Sequence, residues 1–557
     1  MSSAYSLKVY DAEINRFKIS ETSEANISFL DMQSFASQNG AAAQPQSASP
    51  GPSPFDKQQK LNILNSLEEK GFSNGNQILD IMRKWHENHY HITDSAQAKQ
   101  FMFDFQPALL QALSQTANPD KAFVLFDRFL SNLKTEQKFL SLFKNNASAL
   151  RLIIDVMGNA PHLAQFLYWN PKLLESILDP ASFDSVPTDY TLKSSIYKVI
   201  SNAQKYEDIV NGLRYAVMEQ AFLISLRVLS QKISAQQAGV LYTRLAEILI
   251  EALLLYIEHD LRQNHGSIKG GQTTVLAMGK LGSWELTASS DLDLIVIYDF
   301  DKSCTESDGK KPISPLEYYN LLTKKLIKAL SIQTSYGNLY KVDMRLRPWG
   351  NSSSVATHID SFAEYQEKQA WTWEHMALTR ARVITGSEDL RPRVEGIVHS
   401  ILCHPRNPRQ ISADIIDMRS RIAKEKPTNH LWNIKYVRGG LIDLEFIVQY
   451  LQLIHANTMP EILHQNIFQA LQNIKEANII EADISNDLIM SAEYYHSMMQ
   501  ILRICISDMF DPDKAPEGLK DVLVRISGKD SFSELENNLK MTTESVKQIY
   551  NQTLKKC

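Results

Sequence analysis

Leu276-Ala-Met-Gly279-Lys280-Leu281-Gly282-Ser283-Trp284-Glu285-Leu286-Thr-Ala-Ser289-Ser290-Asp291-Leu292-Asp293-Leu294-Ile-Val-Ile-Tyr298 is the stretch on which the reading of this chain turns. An apolar run from Val275 to Met278 meets a glycine-bearing turn, then a polar segment, then a second apolar run entered through two aspartates. Side chains alternate faces along a strand, so Asp291 and Asp293 share one face and Leu292 and Leu294 the other. Two neighbouring carboxylates repel, and a divalent cation relieves the repulsion. All-oxygen ligation of this kind suits Mg2+, which also takes water and substrate phosphate. Gly282 allows close approach of backbone to a ligand, and Ser283 offers a hydroxyl and an N–H to a phosphate. A Gly-Ser turn followed by Asp-x-Asp on a strand suits nucleotidyl transfer.

Asp-x-Asp alone is more often a strand flanked by acidic residues at a loop edge. The second copy, Asp299-Phe300-Asp301, has no glycine turn before it and runs into the polar segment Ser303 to Lys311, as a solvated strand exit does. Gly279-Lys280 is present, but the Gly-x-x-x-x-Gly-Lys-Ser/Thr pattern is not, which disfavours a P-loop. Tyr340-Lys-Val342-Asp343-Met344-Arg345-Leu346-Arg347-Pro348 alternates apolar against charged residues. Read as a strand, it aims Asp343, Arg345 and Arg347 one way. A third aspartate completes a two-metal site, and arginines neutralise a triphosphate and its pyrophosphate leaving group. A surface strand with one ion pair is the plainer alternative. From Trp371 to Arg382 a helix is expected, packing Trp371, Met376 and Leu378 on the sheet, with Arg380 or Arg382 as candidate phosphate contacts.

Five motifs occur in order: Gly279-Lys280-Leu281-Gly282-Ser283-x-Glu285, Ser290-Asp291-Leu292-Asp293-Leu294, Asp343-x-Arg345-Leu346-Arg347-Pro348, Ala370-Trp371-Thr372-Trp373-Glu374-His375 and Gly439-Gly440-Leu441-Ile442-Asp443-Leu444-Glu445-Phe446. Together they resemble the glutamine synthetase adenylyltransferase/adenylyl-removing enzyme family of the nucleotidyltransferase superfamily. The resemblance runs from about Phe55 to near the C-terminus. It implies a chain about twice this long, with a removing half first and a transferring half second. The Trp-Thr-Trp-Glu-His segment resembles the second. It implies Asp291, Asp293 and Asp343 as catalytic metal ligands, Gly282, Ser283, Ser290, Arg345 and Arg347 on the triphosphate, and ATP as co-substrate. Glutamine synthetase would be the protein substrate, with a PII-type signal protein and glutamine as regulators.

The chain departs from that pattern in places. Only one Ser-Asp-x-Asp and one Arg-Leu-Arg-Pro are present. Asp417-Met418-Arg419-Ser420-Arg421 mimics the latter, but Ile411, Ile415, Met418 and Ile422 around it follow helical spacing. Trp349 and Ser352-Ser353 stand where smaller, glycine-rich residues are expected.

The 557 residues are too many for one core, and a net charge of -5 offers no basic footprint for nucleic acid. Four scattered cysteines without Cys-x-x-C point to a reducing compartment and against a disulfide frame. The N-terminus lacks a signal pattern, and the most apolar helix, Leu245 to Leu261, is broken by Glu247, Glu251 and Glu258. A cytoplasmic protein without membrane contact is expected.

The expected fold is α+β and mostly helical, with a small mixed-sheet nucleotidyltransferase domain between helical domains. Residues 1–55, rich in Ala, Ser, Gln, Pro and Gly towards Pro54, read as a disordered linker. Residues 56–230 read as a helical domain, with Phe101, Phe105, Leu109, Leu110 and Leu113 at helical spacing. His86, His89 and His91 cluster there, but His86-Glu-Asn-His89 is one residue short of a metalloprotease pair. Residues 231–400 hold the catalytic domain, and 401–557 a C-terminal helical bundle. Glycines 439 and 440 open a helix near Leu441 and offer N–H groups to an anion, with ordinary capping as the alternative. The reading is transfer of AMP from Mg-ATP to a tyrosine hydroxyl of glutamine synthetase. Phosphorolytic removal of AMP, nucleotide transfer to RNA or an antibiotic, and a non-catalytic adaptor are the rivals.

Overall fold

The computed structural model describes residues 54–86, 95–116, 118–133, 147–170, 185–203, 205–332, 339–506 and 508–555, with isolated positions 90, 173 and 183. The expected linker at 1–55 lies almost wholly outside the described residues, as do His89 and His91 of the histidine cluster. The fold is mostly helical α+β with a small five-stranded mixed sheet, as expected. Among the described residues no helix is long and apolar enough to cross a membrane.

The chain divides into two compact units, residues 1–185 with 511–523, and residues 186–510 with 524–557. The described part of the first is helical. Its helix Pro119–Asn132 starts on Asn118, which accepts from the Lys121 N–H, and places Pro119 where a missing N–H costs nothing. Phe123, Phe126 and Phe129 are fully buried, and Trp85 stacks on Phe123 at 5.1 Å. The indole N–H of Trp85 finds a partner in Asp127.

The second unit is built round the quoted stretch. The two apolar runs are β1 (Gln272–Ala277) and β2 (Leu292–Asp299), antiparallel with Leu276 opposite Ile295. Val275, Leu276, Ala277, Leu294, Ile295, Val296 and Ile297 are all buried, so both faces of this pair are covered and their apolar character is continuous. On one edge β5 (Arg382–Gly386) pairs antiparallel with β1. On the other, β3 (Val342–Asp343) and β4 (Ala356–His358) pair in parallel with the two ends of β2. Helices Ala235–His265, Pro315–Ser331, Ile359–Lys368 and Leu390–Leu402 pack around the sheet.

The longest of these helices begins in a reciprocal cap. Ser234 Oγ accepts from the Gln237 N–H, and Gln237 Oε1 accepts from the Ser234 N–H. Ser234→Ala is expected to cost about 1 kcal/mol, checked by denaturant unfolding of the two proteins side by side.

Two elements differ from expectation. The alternating segment Tyr340 to Pro348 is a strand for two residues only and then turns, so Arg345 and Arg347 do not share a strand face with Asp343. The helix expected over Trp371 to Arg382 runs Thr372–Leu378, and Arg382 opens β5. Trp371 is 70% exposed and does not pack on the sheet. The Asp417 mimic lies on a helix, Pro408–Glu425, as its spacing predicted.

Candidate active site

Strand pairing brings the aspartates together. Asp293 stands opposite Asp343 in the parallel β2–β3 pair, in register, so the two carboxylates project from the same face of adjacent strands. Asp291 lies two residues before Asp293, at the mouth of β2. Burial first, then Asp343 and Asp291, pushes the Asp293 carboxyl up to about 6, while Arg380 opposes the rise. Burial makes the charged form costly, and the neighbouring carboxylates add a repulsion that the nearby cations only partly offset. Asp343 is held low instead, chiefly by its hydrogen bonds from Arg345, whose Nε lies 2.8 Å from Oδ2. Among the described residues no three carboxylate, imidazole or thiol side chains close round one point as a ready metal site. Asp343 is turned onto Arg345, and Arg345 is 76% exposed, so its guanidinium can swing away at little cost.

The donor set nonetheless fits a hard divalent cation. It is all carboxylate, it sits at adjacent register positions, and Asp293 carries repulsion that such a cation relieves. Beside it an open cleft of about 510 Å3 is lined by Asp291, Lys341, Asp343, Arg345 and Arg347.

The glycine turn is placed differently from what its sequence suggested. Gly279 has φ +53°, and a Cβ there would run into the Asp293 carboxylate, so this glycine is what lets the turn sit against the aspartate. Gly279→Ala is expected to cost about 1–2 kcal/mol from the left-handed backbone and to lower transfer activity more than the stability loss alone explains. Equal kcat in the two folded proteins would show the close approach to be unimportant. Gly282 is tight for another reason: a Cβ there would overlap the Arg380 carbonyl. Ser283 is fully buried, donating to the Gly279 carbonyl at 3.0 Å and accepting from Arg380 Nη2 at 2.7 Å. Ser290 Oγ accepts from the Thr287 N–H and bonds the Thr287 hydroxyl. The hydroxyls of Ser283 and Ser290 therefore build the turn. Arg347 is buried, donating to the carbonyls of Met344 and Ser354 at 2.7 and 3.1 Å.

Behind the turn lies a cationic group, Lys280 and Lys435 with the Arg380 and Arg382 read from the sequence as candidate phosphate contacts. Lys280 stands in the first of the five motifs. Burial and neighbouring Lys435 push its ammonium down to about 8, with Glu445 and Glu285 opposing. Arg380 donates to Glu445 at 2.7 Å, to Ser283, and to Glu285 in an ion pair. Arg382 pairs with buried Glu247, donates to the Gly282 carbonyl at 3.0 Å, and covers the Trp284 ring at 3.7 Å. Lys435 precedes the helix Leu441–His455 that carries Glu445. The Gly-Gly entrance to that helix does not offer an anion site. Gly439 N–H donates to the carboxylate of Asp443, which also takes Arg419 and Arg438. Glu374, too, is structural, accepting from the Tyr365 hydroxyl and the Trp371 N–H.

Comparison with known proteins adds the following. Residues 150–397 match the family model described as glutamate-ammonia ligase adenylyltransferase. Residues 409–554 match the one described as GlnD PII-uridylyltransferase. The chain is 39% identical over 492 residues to the bifunctional glutamine synthetase adenylyltransferase/adenylyl-removing enzyme of Bradyrhizobium sp. (strain BTAi1), covering 88% of this chain and 50% of that protein. The enzyme of the same description from Agrobacterium fabrum is 40% identical over 491 residues, again 88% and 50%. The chain thus spans about half the length of the curated relatives it matches.

Proposed function

The chain is a relative of the glutamine synthetase adenylyltransferase/adenylyl-removing enzymes across about half their length, and from that premise we propose that it transfers AMP from Mg-ATP to a tyrosine hydroxyl of glutamine synthetase in the cytoplasm. The observation that carries the reading is the in-register pairing of Asp293 with Asp343, with Asp291 beside them and a cationic wall behind. Asp291, Asp293 and Asp343 would hold Mg2+, which when bound neutralises the triphosphate and acidifies the hydroxyl coordinated to it. Arg345, once released from Asp343, is the exposed guanidinium available to the triphosphate. Lys435 and Arg380 place positive charge near Asp293, and Lys280 beside Lys435 adds to it, for the same anion. Gly282, Ser283 and Ser290 shape the turn that presents them, and Arg347 holds the loop after β3. In the reaction the tyrosine oxygen forms a bond to the α-phosphorus, the bond from α-phosphorus to the bridging oxygen breaks, pyrophosphate leaves with its electron pair, and the hydroxyl proton is released.

The resemblance to a transferring half motivates the direction. Residues 401–557, which include the segment matched by the uridylyltransferase model, are the proposed seat of regulation by a PII-type signal protein and glutamine. The test uses glutamine synthetase with ATP labelled at the α or the γ phosphate. Label from the α position is expected on the protein and label from the γ position in pyrophosphate. A second arm offers phosphate without ATP to fully adenylylated glutamine synthetase. Rapid appearance of ADP there would assign the chain to removal instead.

A further inference from the structure

Behind the glycine turn lies a second cavity, of about 500 Å3, lined by Val240, Trp284, Phe468, Glu493, His496 and Gln500 among others. Two polar atoms in its lining have no hydrogen-bond partner among the described residues, His496 Nε2 and Gln500 Oε1. His496 is 9% exposed and Gln500 2%. Buried polar groups are normally satisfied, so a pair of orphans beside a cavity marks a place where a partner is missing. The orientation of Gln500 is fixed from the other side. Its amide nitrogen donates to the carbonyls of Leu286 and Ala235 at 2.8 and 3.5 Å, which leaves the oxygen as the unused end. His496 and Gln500 stand four residues apart on the helix Ala482–Cys505, hence on one face of it.

The chemistry of the lining selects a ligand. Gln500 Oε1 only accepts, so it requires an N–H or O–H. Burial holds His496 neutral, so its Nε2 can meet either a donor or an acceptor. No lysine or arginine lines the cavity. Of its two carboxylates, Glu285 is already engaged by Arg380 and the Ile467 N–H, and Glu493 is exposed. An anion therefore meets two carboxylates in the lining, with imidazoles but no lysine or arginine to pair with it. The walls are flat and aromatic: Phe468 stands edge-on to His496 at 5.2 Å, and Trp284 stacks with His464 at 6.1 Å.

We propose that this cavity is a binding site for a small uncharged molecule bearing a carboxamide on a planar or apolar body. The amide N–H donates to Gln500 Oε1, its carbonyl accepts from His496 Nε2–H, and the body lies between Trp284 and Phe468. The site abuts the catalytic turn, because Trp284 and Glu285 belong to both and Glu285 holds the Arg380 that holds Ser283. Binding is read directly, so the inference stands or falls apart from the assigned reaction.

The probes are benzamide and its isosteric anion benzoate, followed by saturation-transfer NMR titration of the whole chain. Benzamide is expected to bind with Kd on the order of 1 mM, as suits a ligand of its size, and benzoate at least about ten-fold more weakly. Val240→Trp, a change at an exposed position on the cavity wall, is expected to abolish benzamide binding without touching the buried polar atoms. Gln500→Met is expected to weaken it at least about ten-fold. Absence of benzamide binding, equal binding of benzoate, or undiminished binding to Val240→Trp or to Gln500→Met would each overturn the proposal.

Discussion

Asp293→Asn is expected to lower kcat for AMP transfer at least about a thousand-fold, equivalent to about 4 kcal/mol of transition-state stabilisation, while the chain stays folded. The substitution removes one charge at nearly constant shape, from the aspartate that lies deepest among the three and opposite Asp343. Stability is expected to move the other way. Asp293 in the metal-free fold holds its proton up to about 6, above the 3.8 of a free carboxyl. A carboxyl with a raised folded value binds protons more tightly when folded, so the wild type loses stability as pH rises from about 4 to about 6 and stays lower above it. Asn cannot ionise. In metal-free buffer the variant should therefore gain on the wild type across that window, by on the order of 3 kcal/mol at neutral pH. Saturating Mg2+ closes most of that gap: at a hundred times its Kd it stabilises the wild type by about 2.7 kcal/mol and the variant far less. Thermal unfolding with and without Mg2+, beside a transfer assay, reads all three effects. A variant that keeps a tenth of wild-type kcat, or that gains equally from Mg2+, would remove Asp293 from the metal site.

Sequence reasoning reached the elements whose burial follows a simple period. The apolar stretches Val275 to Met278 and Leu294 to Ile297 within and beside β1 and β2 were legible because every residue in them is apolar and buried. The helix Pro408–Glu425 was legible from the helical spacing of Ile411, Ile415, Met418 and Ile422. The register of Asp293 with Asp343 was half legible: alternation puts each on a face, but only the parallel pairing of β2 with β3 makes them neighbours. Period two misled after Asp343, where Arg347 is buried and its guanidinium satisfies the carbonyls of a turn that the strand reading had no room for. Trp371 misled in the same way, as a large apolar residue that the fold leaves at the surface. The network of Arg380 with Glu285 and Glu445 was out of reach, because its members come from segments 95 and 65 residues apart. No local pattern announces a partner at that distance: Arg380 alone reads as a candidate phosphate contact, and Glu285 and Glu445 only as members of separate motifs.

That network carries the other large expectation. Arg380→Ala is expected to cost about 3–5 kcal/mol of folding stability and to abolish measurable transfer. Its guanidinium is the shared partner of two carboxylates whose side chains are only 2% and 15% exposed, so its loss strands both. It also supplies the hydrogen bonds that fix Ser283, and through Ser283 the Gly279 carbonyl, at the turn that backs Asp293. A single substitution confounds these two consequences, since an unfolded chain has no activity to lose. The double replacement Arg380→Met with Glu445→Leu separates them. It removes one of the stranded charges and fills the space with apolar volume, a change that buried ion pairs often tolerate. Glu285 keeps the Ile467 N–H as a partner. The melting temperature is therefore expected to return most of the way to wild type. Transfer is not: Ser283 has still lost its donors, and kcat is expected to remain at least about ten-fold down, as misplacement near a reacting group costs one to two orders of magnitude. Recovery of kcat in step with the melting temperature would show that Arg380 acts on stability alone and that the turn needs no such anchor.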